Sequence, residues 1–334
     1  VEERLGEAVA HFSDADARTR SLLAYACARL GYDGPAACQL LTVLCGELGV
    51  EMRHMAQEPW WPLLVWSLAE LDLELDFASQ AAEAFVEERY GSNTGLQEAA
   101  RGMPGYGDEL PTGALLYAAW SCATLGLGAP WPLLREAYAR LDGAVPKEEE
   151  QLRVAKVVAL EHSIAPSAGS HNLSEEDKNL ELWLRGLLAA PARGQPGASG
   201  KPRQPWPQET EWDEKLSDEL VQLRVRHEAP YAVGGVHFVA AADPGRRRAL
   251  AVLAPWDLAT PSLRPLGAAK LRRRQLEALD WQCREVTFRE LLREEARGPL
   301  LERLATVFAE EPANTASAVP GAGRAQRETD AAAG

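Results

Sequence analysis

Three stretches of the sequence repeat one local pattern, and that pattern restricts the first half of the chain to stacked helices. Tyr25-Ala-Cys-Ala-Arg-Leu-Gly-Tyr32, Trp66-Ser-Leu-Ala-Glu-Leu-Asp-Leu73 and Trp120-Ser-Cys-Ala-Thr-Leu-Gly-Leu127 share an aromatic, a small residue, Cys or Leu, Ala, a variable position and Leu before Gly or Asp. Positions 23, 26, 27 and 30 recur as 64, 67, 68 and 71 and as 118, 121, 122 and 125, so each copy offers the same helical stripe. Gly31 and Gly126 suit the left-handed residue that closes a helix. A second amphipathic segment follows each copy, at Ala36 to Leu48, Phe77 to Glu88 and Pro132 to Leu141. Helix–turn–helix units recurring at about 40 residues are the pattern of an α-solenoid, in which hairpins bury their faces by stacking on neighbours. The copies lie 41 and 54 residues apart, which requires an insertion, placed here in the Gly-rich stretch Gly102 to Gly113. A non-repetitive helical bundle is the competing reading.

Helical patterning continues to residue 190. Ser174 before Glu175, Glu176 and Asp177 reads as an N-cap with an acidic first turn, ahead of a face made by Leu180, Trp183, Leu184, Leu187 and Leu188. Pro146 ahead of Lys147 to Glu150 starts another helix. Between Pro191 and Pro207, eight of 17 residues are Pro or Gly, the composition of a linker. The expected domains are therefore a helical repeat at 1–190, a linker at 191–210, a small α/β module at 211–310 and a disordered or partner-bound tail at 311–334.

Charge divides along the same line. Residues 1–223 carry 18 Lys+Arg against 35 Asp+Glu, whereas residues 224–308 carry 15 against 10. A net charge of −14 excludes a chain that coats nucleic acid over its whole surface, so any such contact is local. The acidic array suits basic protein neighbours rather than RNA. No run of about 18 apolar residues occurs, because Trp60 to Leu75 is interrupted by Glu70, Asp72 and Glu74, so no membrane span is expected. Five cysteines without a CxxC pair (Cys27, Cys38, Cys45, Cys122, Cys283) read as small core residues of a reducing compartment, with no metal or cofactor role. Val1 opens the chain with no charged-then-apolar leader pattern ahead of the first helix, which leaves localisation unread.

In the module, Tyr231 to Ala241, Arg248 to Leu253 and Cys283 to Phe288 read as strands, with Pro244-Gly245 as a hairpin turn. Gly267 to Leu279 and Pro299 to Phe308 read as helices. Two arginine clusters are the candidate RNA contacts: Arg246, Arg247 and Arg248 after the Pro-Gly turn, and Lys270 with Arg272, Arg273 and Arg274 along one helix. Three successive helical arginines spread over about 200°, so they do not face one ligand together. Arg273 is also placed to pair with Glu277. His237 reads either as a buried turn histidine or as an RNA contact. Trp256 and Trp281 read either as core or as stacking platforms for unpaired bases.

The run Val233-Gly-Gly-Val-His-Phe238, then Leu266-Gly-Ala-Ala-Lys-Leu-Arg-Arg-Arg-Gln-Leu276, then Leu279-Asp-Trp-Gln-Cys-Arg-Glu-Val-Thr-Phe288 resembles the RAP domain in order and spacing. The matching region, 228–308, is about a quarter of the chain. The upstream copies look like the helical repeats that precede RAP domains in organellar proteins, including FAST-kinase-domain relatives. The resemblance implies a restriction-endonuclease-like core. It also implies a mitochondrial, or alternatively plastid, RNA-metabolism factor: an RNA-binding or processing protein, or a ribosome subunit or assembly factor meeting ribosomal RNA and basic ribosomal proteins. Metal-dependent endoribonuclease chemistry is the alternative, since it needs converging carboxylates. Gly234 stands where the family's turn carries Asp, no Glu-x-Lys occurs, and Asp243 and Asp257 read as turn caps, so a non-enzyme is expected.

Overall fold

The computed structural model describes residues 15–90, 110–128, 130–164, 174–189 and 211–309, without the side chains of 294–297 and 309. The linker, the tail and most of the expected insertion lie outside the described residues. The fold is mostly helical, with a small sheet region near the C-terminus.

The helices are α1 (Ala17–Arg29), α2 (Pro35–Leu48), the short α3 (Met52–Met55), α4 (Trp61–Leu71), α5 (Leu75–Tyr90), α6 (Thr112–Thr124), α7 (Trp131–Arg140), α8 (Glu149–Ile164) and α9 (Glu175–Ala189). The copies of the sequence pattern are the C-terminal halves of α1, α4 and α6, and they close alike. Gly31, Asp72 and Gly126 adopt φ of 60°, 56° and 78°. The next residue in each case donates back across the turn: Tyr32 N to Cys27 O at 2.8 Å, Leu73 N to Leu68 O at 3.1 Å and Leu127 N to Cys122 O at 2.9 Å. These are the six-to-one bonds of a left-handed helix cap, so residue type at one position fixes three equivalent turns. Asp substitutes for Gly in the second copy because a short polar side chain tolerates this conformation.

Helices α1, α4, α6 and α8 lie side by side in that order. The aromatic residue of each copy meets the next: Tyr25 and Trp66 rings are 5.2 Å apart, and Trp66 and Trp120 are 6.0 Å apart. Ser67 and Ser121, fully buried, donate to the carbonyls of Leu63 and Tyr117 within their own helices, which removes the cost of burying a hydroxyl. Ser174 accepts from Asp177 N as the expected cap of α9, and the four leucine and tryptophan positions that lead its apolar face are buried. Helix α8 begins at Glu149, slightly after the expected start.

The C-terminal part contains α10 (Glu211–Gln222), β1 (Tyr231–Val233), β2 (His237–Val239), β3 (Ala241–Asp243), β4 (Arg248–Leu253), α11 (Gly267–Ala278), β5 (Gln282–Thr287), α12 (Phe288–Leu292) and α13 (Glu294–Ala309). The stretch read as one strand from Tyr231 to Ala241 is broken by Gly234 and Gly235, both at positive φ, into an antiparallel β1–β2 hairpin. A second sheet has the order β3-β4-β5, with β4 antiparallel to β3 and parallel to β5 through the α11 crossover. All six residues of β4 are buried, as expected of a central strand covered on both faces. Helix α13 starts five residues before Pro299, the position read as its first turn.

Candidate functional site

The three equivalent turns gather helix C-termini, with their unpaired carbonyls and partial negative charge, at one edge of the array. Helix α11 lies along that edge. Gly267 approaches α4 so closely that a Cβ there would overlap the carbonyl of Ala69, so only glycine fits. Glu70, buried on α4, accepts from Ala268 N at 3.1 Å and so caps the start of α11. Burial pushes its carboxyl up to about 7, against the opposing Ala268 hydrogen bond. Lys270 pairs with Asp72, the left-handed residue of the second copy. Arg274 donates to Ala123 O and Thr124 O, the last carbonyls of α6, and to Glu161 at 3.0 Å. Gln275, also buried, donates to Val157 O and Glu161 of α8.

The loop before α11 grips the first copy in the same way. Asp33, whose side chain is 1% exposed, accepts from Ser262 N, from the Ser262 hydroxyl and from Arg264 at 3.0 Å. Burial raises the Asp33 carboxyl, but the Ser262 and Arg264 hydrogen bonds outweigh it and hold the group below its ordinary range. The backbones join as well, through Asp33 N to Thr260 O at 2.9 Å and Thr260 N to Gly31 O at 2.6 Å.

Several cations of the two clusters read as RNA contacts are engaged within the chain, while Arg247 and Arg273 keep more than half of their side chains exposed. Arg248 is only 4% exposed and donates to Val307 O, because strand alternation turns it inward beneath α13. Arg246 donates to Phe308 O, and Arg247 meets Asp280 at 3.0 Å. Lys270 and Arg274 hold the array, as above. Arg273 forms the expected pair with Glu277 at 2.9 Å, and both side chains are mostly exposed. His237 is buried, and its Nε2 meets the Gln275 side-chain oxygen at 2.6 Å. Burial drives its pKa down to about 4, so the ring is neutral at pH 7. Trp281 packs on Tyr231 with ring centres 5.5 Å apart, within the small core beneath α11. Asp243 and Asp257 accept from Arg246 N and Ala254 N, as expected of turn caps.

The five cysteines are free, and burial first of all pushes the thiols of Cys45, Cys122 and Cys283 up to about 12, which keeps them unreactive near neutrality. Among the described residues no helix is long and apolar enough to cross a membrane.

Where the array meets the carboxyl end of β4, beside the parallel β4–β5 pair, the seam opens into a cleft of about 420 Å³. The array supplies Trp66, Glu70, Tyr117 and Arg153, and the module supplies Trp256, Asp257 and Arg272. Arg272 is mostly enclosed, with Asp257 and Glu285 at 3.7 and 3.9 Å, while its Nε and Nη2 make no hydrogen bond. Trp256 is 55% exposed at the rim. Ligands of open sheets with parallel strands collect at the carboxyl ends, and a wall of aromatic groups with a few polar ones is the usual lining of a binding pocket. Sequence reasoning missed Glu70, Tyr117 and Arg153. Glu70 was the visible one: a carboxylate at the variable position of the second copy, within an otherwise apolar run.

Compared with models of known protein families and with curated proteins, the sequence matches none.

Proposed function

We propose that this chain is a non-catalytic RNA-binding factor of an organelle, with a RAP-like module of restriction-endonuclease-like descent seated on a solenoid-like array. The motif residues at 233–238, 266–276 and 279–288 support the family reading, and with it a mitochondrial setting beside ribosomal RNA. The observation that carries RNA binding is a set of module arginines left over once the internal pairs are made. Arg224, Arg226, Arg284, Arg289 and Arg293 are exposed, and among the described residues none has a carboxylate within ion-pair distance. Three of them follow one border, since β5 is an edge strand and α12 continues from it. Cations free to release counterions are what phosphate backbones reward. The array keeps its outward acidic surface for basic proteins, of which ribosomal proteins are the expected class.

Binding of a structured ribosomal RNA fragment, followed by fluorescence polarisation across a salt series, tests this. Replacing Arg284, Arg289 and Arg293 by Ala is expected to weaken binding about tenfold or more and to lower the salt slope by about two to three. Unchanged binding sinks the reading. The endoribonuclease alternative has one observation in its favour, the convergence of Asp257 and Glu285 on Arg272. Mn²⁺-dependent cleavage of the same RNA that disappears in Asp257→Asn would put it first.

A further inference from the structure

Two copies of the sequence pattern set Trp66 and Trp120 at equivalent places on α4 and α6, with ring centres 6.0 Å apart, and both residues line the cleft between array and module. A buried indole N–H ordinarily finds an acceptor. Those of Trp61, Trp131 and Trp183 do, on Ala81 O, Asp177 and Ala144 O. Trp66 and Trp120 are more than nine-tenths buried, yet among the described residues neither N–H makes a hydrogen bond, and both nitrogens keep accessible surface. Glu70, equally buried, lines the same space: one oxygen accepts from Ala268 N, and the other, also accessible, accepts nothing. Arg153 joins them from α8, and among the described residues no carboxylate comes within ion-pair distance of it. The neighbouring Glu150 is held by Arg29 and Tyr117. Arg272 and Asp257 face each other at 3.7 Å, and Asp213 has a partner. The charges left over in the lining are thus one cation and one anion. Arg153 acts on Glu70 through space, against the burial that raises its carboxyl, but the two do not pair.

We infer that this cleft binds a free α-amino acid with a large apolar side chain, its carboxylate meeting Arg153 and the two indole N–H groups and its ammonium meeting Glu70. The charges of such a ligand mirror those of the lining, so both enclosed groups are compensated at once. A simple organic anion satisfies Arg153 but leaves the Glu70 oxygen without a donor, and a simple cation leaves the guanidinium and two N–H groups without acceptors. Guanidinium and N–H donors together are a match for a carboxylate, whose two oxygens accept several hydrogen bonds. Apolar groups complete the cleft: Val154, Val157 and Val252 inside, and Trp256 at the rim, half exposed and placed to cover a side chain. A volume of about 420 Å³ holds such a molecule with a little water. A residue inside a polypeptide lacks both charges and a chain terminus lacks one, so the fit is to the free amino acid. This site stands apart from the arginine border and does not depend on RNA binding there.

Isothermal titration of the full chain at pH 7 tests it with L-phenylalanine and L-leucine, each beside two analogues, the acid without the amine and the amine without the carboxylate. Saturable one-to-one binding of at least one amino acid is expected, with each of its analogues about tenfold or more weaker. Arg153→Gln should cut the advantage over the carboxylate-free analogue to about threefold or less, while the advantage over the amine-free analogue stays within about twofold of its original value. A variant that merely disturbs the fold lowers both advantages together. Trp256→Ala, at an exposed position, should weaken all ligands alike, by about threefold. Absence of binding by both amino acids overturns the site. An amine-free acid that binds as tightly as the amino acid overturns the zwitterion, and unchanged ratios in Arg153→Gln overturn the placement of the carboxylate. None of these outcomes touches RNA binding, which the structured ribosomal fragment measures separately.

Discussion

The helical array and the α/β module carry charge of opposite sign, yet they differ more in the direction those charges face. Acidic residues of the array are mostly solvated; of the enclosed ones, Glu136 and Asp177 pair with arginines of the array itself, whereas Asp33, Glu70, Asp72 and Glu161 cluster at the turn edge and point toward the module. The module reverses this. Several of its most conspicuous cations point inward or across the seam, while less conspicuous arginines on β5 and α12 remain in water. Net charge therefore gives the sign of a region's partner, and one such partner of the acidic array is the chain's own helix α11.

If the seat of α11 is what joins the regions, its closest backbone approach should be its most sensitive point. Gly267→Val forces a side chain into the Ala69 carbonyl, where no flexible group gives way. The expected cost is about 3 kcal/mol or more, read as a fall in the urea midpoint. Wild-type stability in this variant would break the comparison at its base.

A second effect, of about 2 to 3 kcal/mol, is concealed by compensation. The carboxyl of Glu70 rises on folding from its ordinary 4.5 to about 7, so between these pH values the folded state keeps a proton that the unfolded state releases. Stability then falls as pH rises through that window. His237 drops from 6.5 to about 4, so the unfolded state holds the extra proton, and stability falls as pH decreases from 6.5. The two slopes oppose each other on either side of the seam. Glu70→Gln should expose the histidine slope, with stability climbing from pH 4.5 to 6.5. His237→Gln should expose the reverse. Urea midpoints at pH 4.5, 5.5 and 6.5 check both, and parallel profiles for the two variants would refute the assignment.

Next comes the grip on the first copy. Asp33→Ala leaves Ser262 and Arg264 without their buried acceptor, at a cost of about 2 kcal/mol. A double-mutant cycle with Arg264→Ala should show coupling, because the pair spans the two regions.

The architecture was legible where local rules decide it. The aromatic-to-Gly pattern marks three helix ends, Ser174 marks a cap, and Arg273 with Glu277 marks a solvated face, and each is a matter of spacing within a few residues. The direction of Arg248 and Arg274 was not legible, since each lies in a run of arginines whose members separate only once strand alternation or helical twist is placed against a neighbour. Glu70 and Arg153 escaped for the same reason: they come from different helices, and only packing brings them to one cleft with Trp256 and Arg272.

The smallest effects discriminate best among the cations of α11, because composition treats them alike and the fold does not. Arg274 reaches two carbonyls and Glu161 on the array, Lys270 reaches one largely enclosed carboxylate while itself nearly half exposed, and Arg273 meets only Glu277 on its own helix. Single alanine substitutions should accordingly cost about 1 to 2 kcal/mol at Arg274, about 0.5 at Lys270 and less than about 0.5 at Arg273. Salt should erase the Lys270 effect first, since Lys270 is nearly half exposed and its attraction is screened, whereas the Arg274 bonds to carbonyls persist. Equal losses at all three positions would mean that α11 is held by its apolar face alone, and the turn edge of the array would lose its standing as an electrostatic seat.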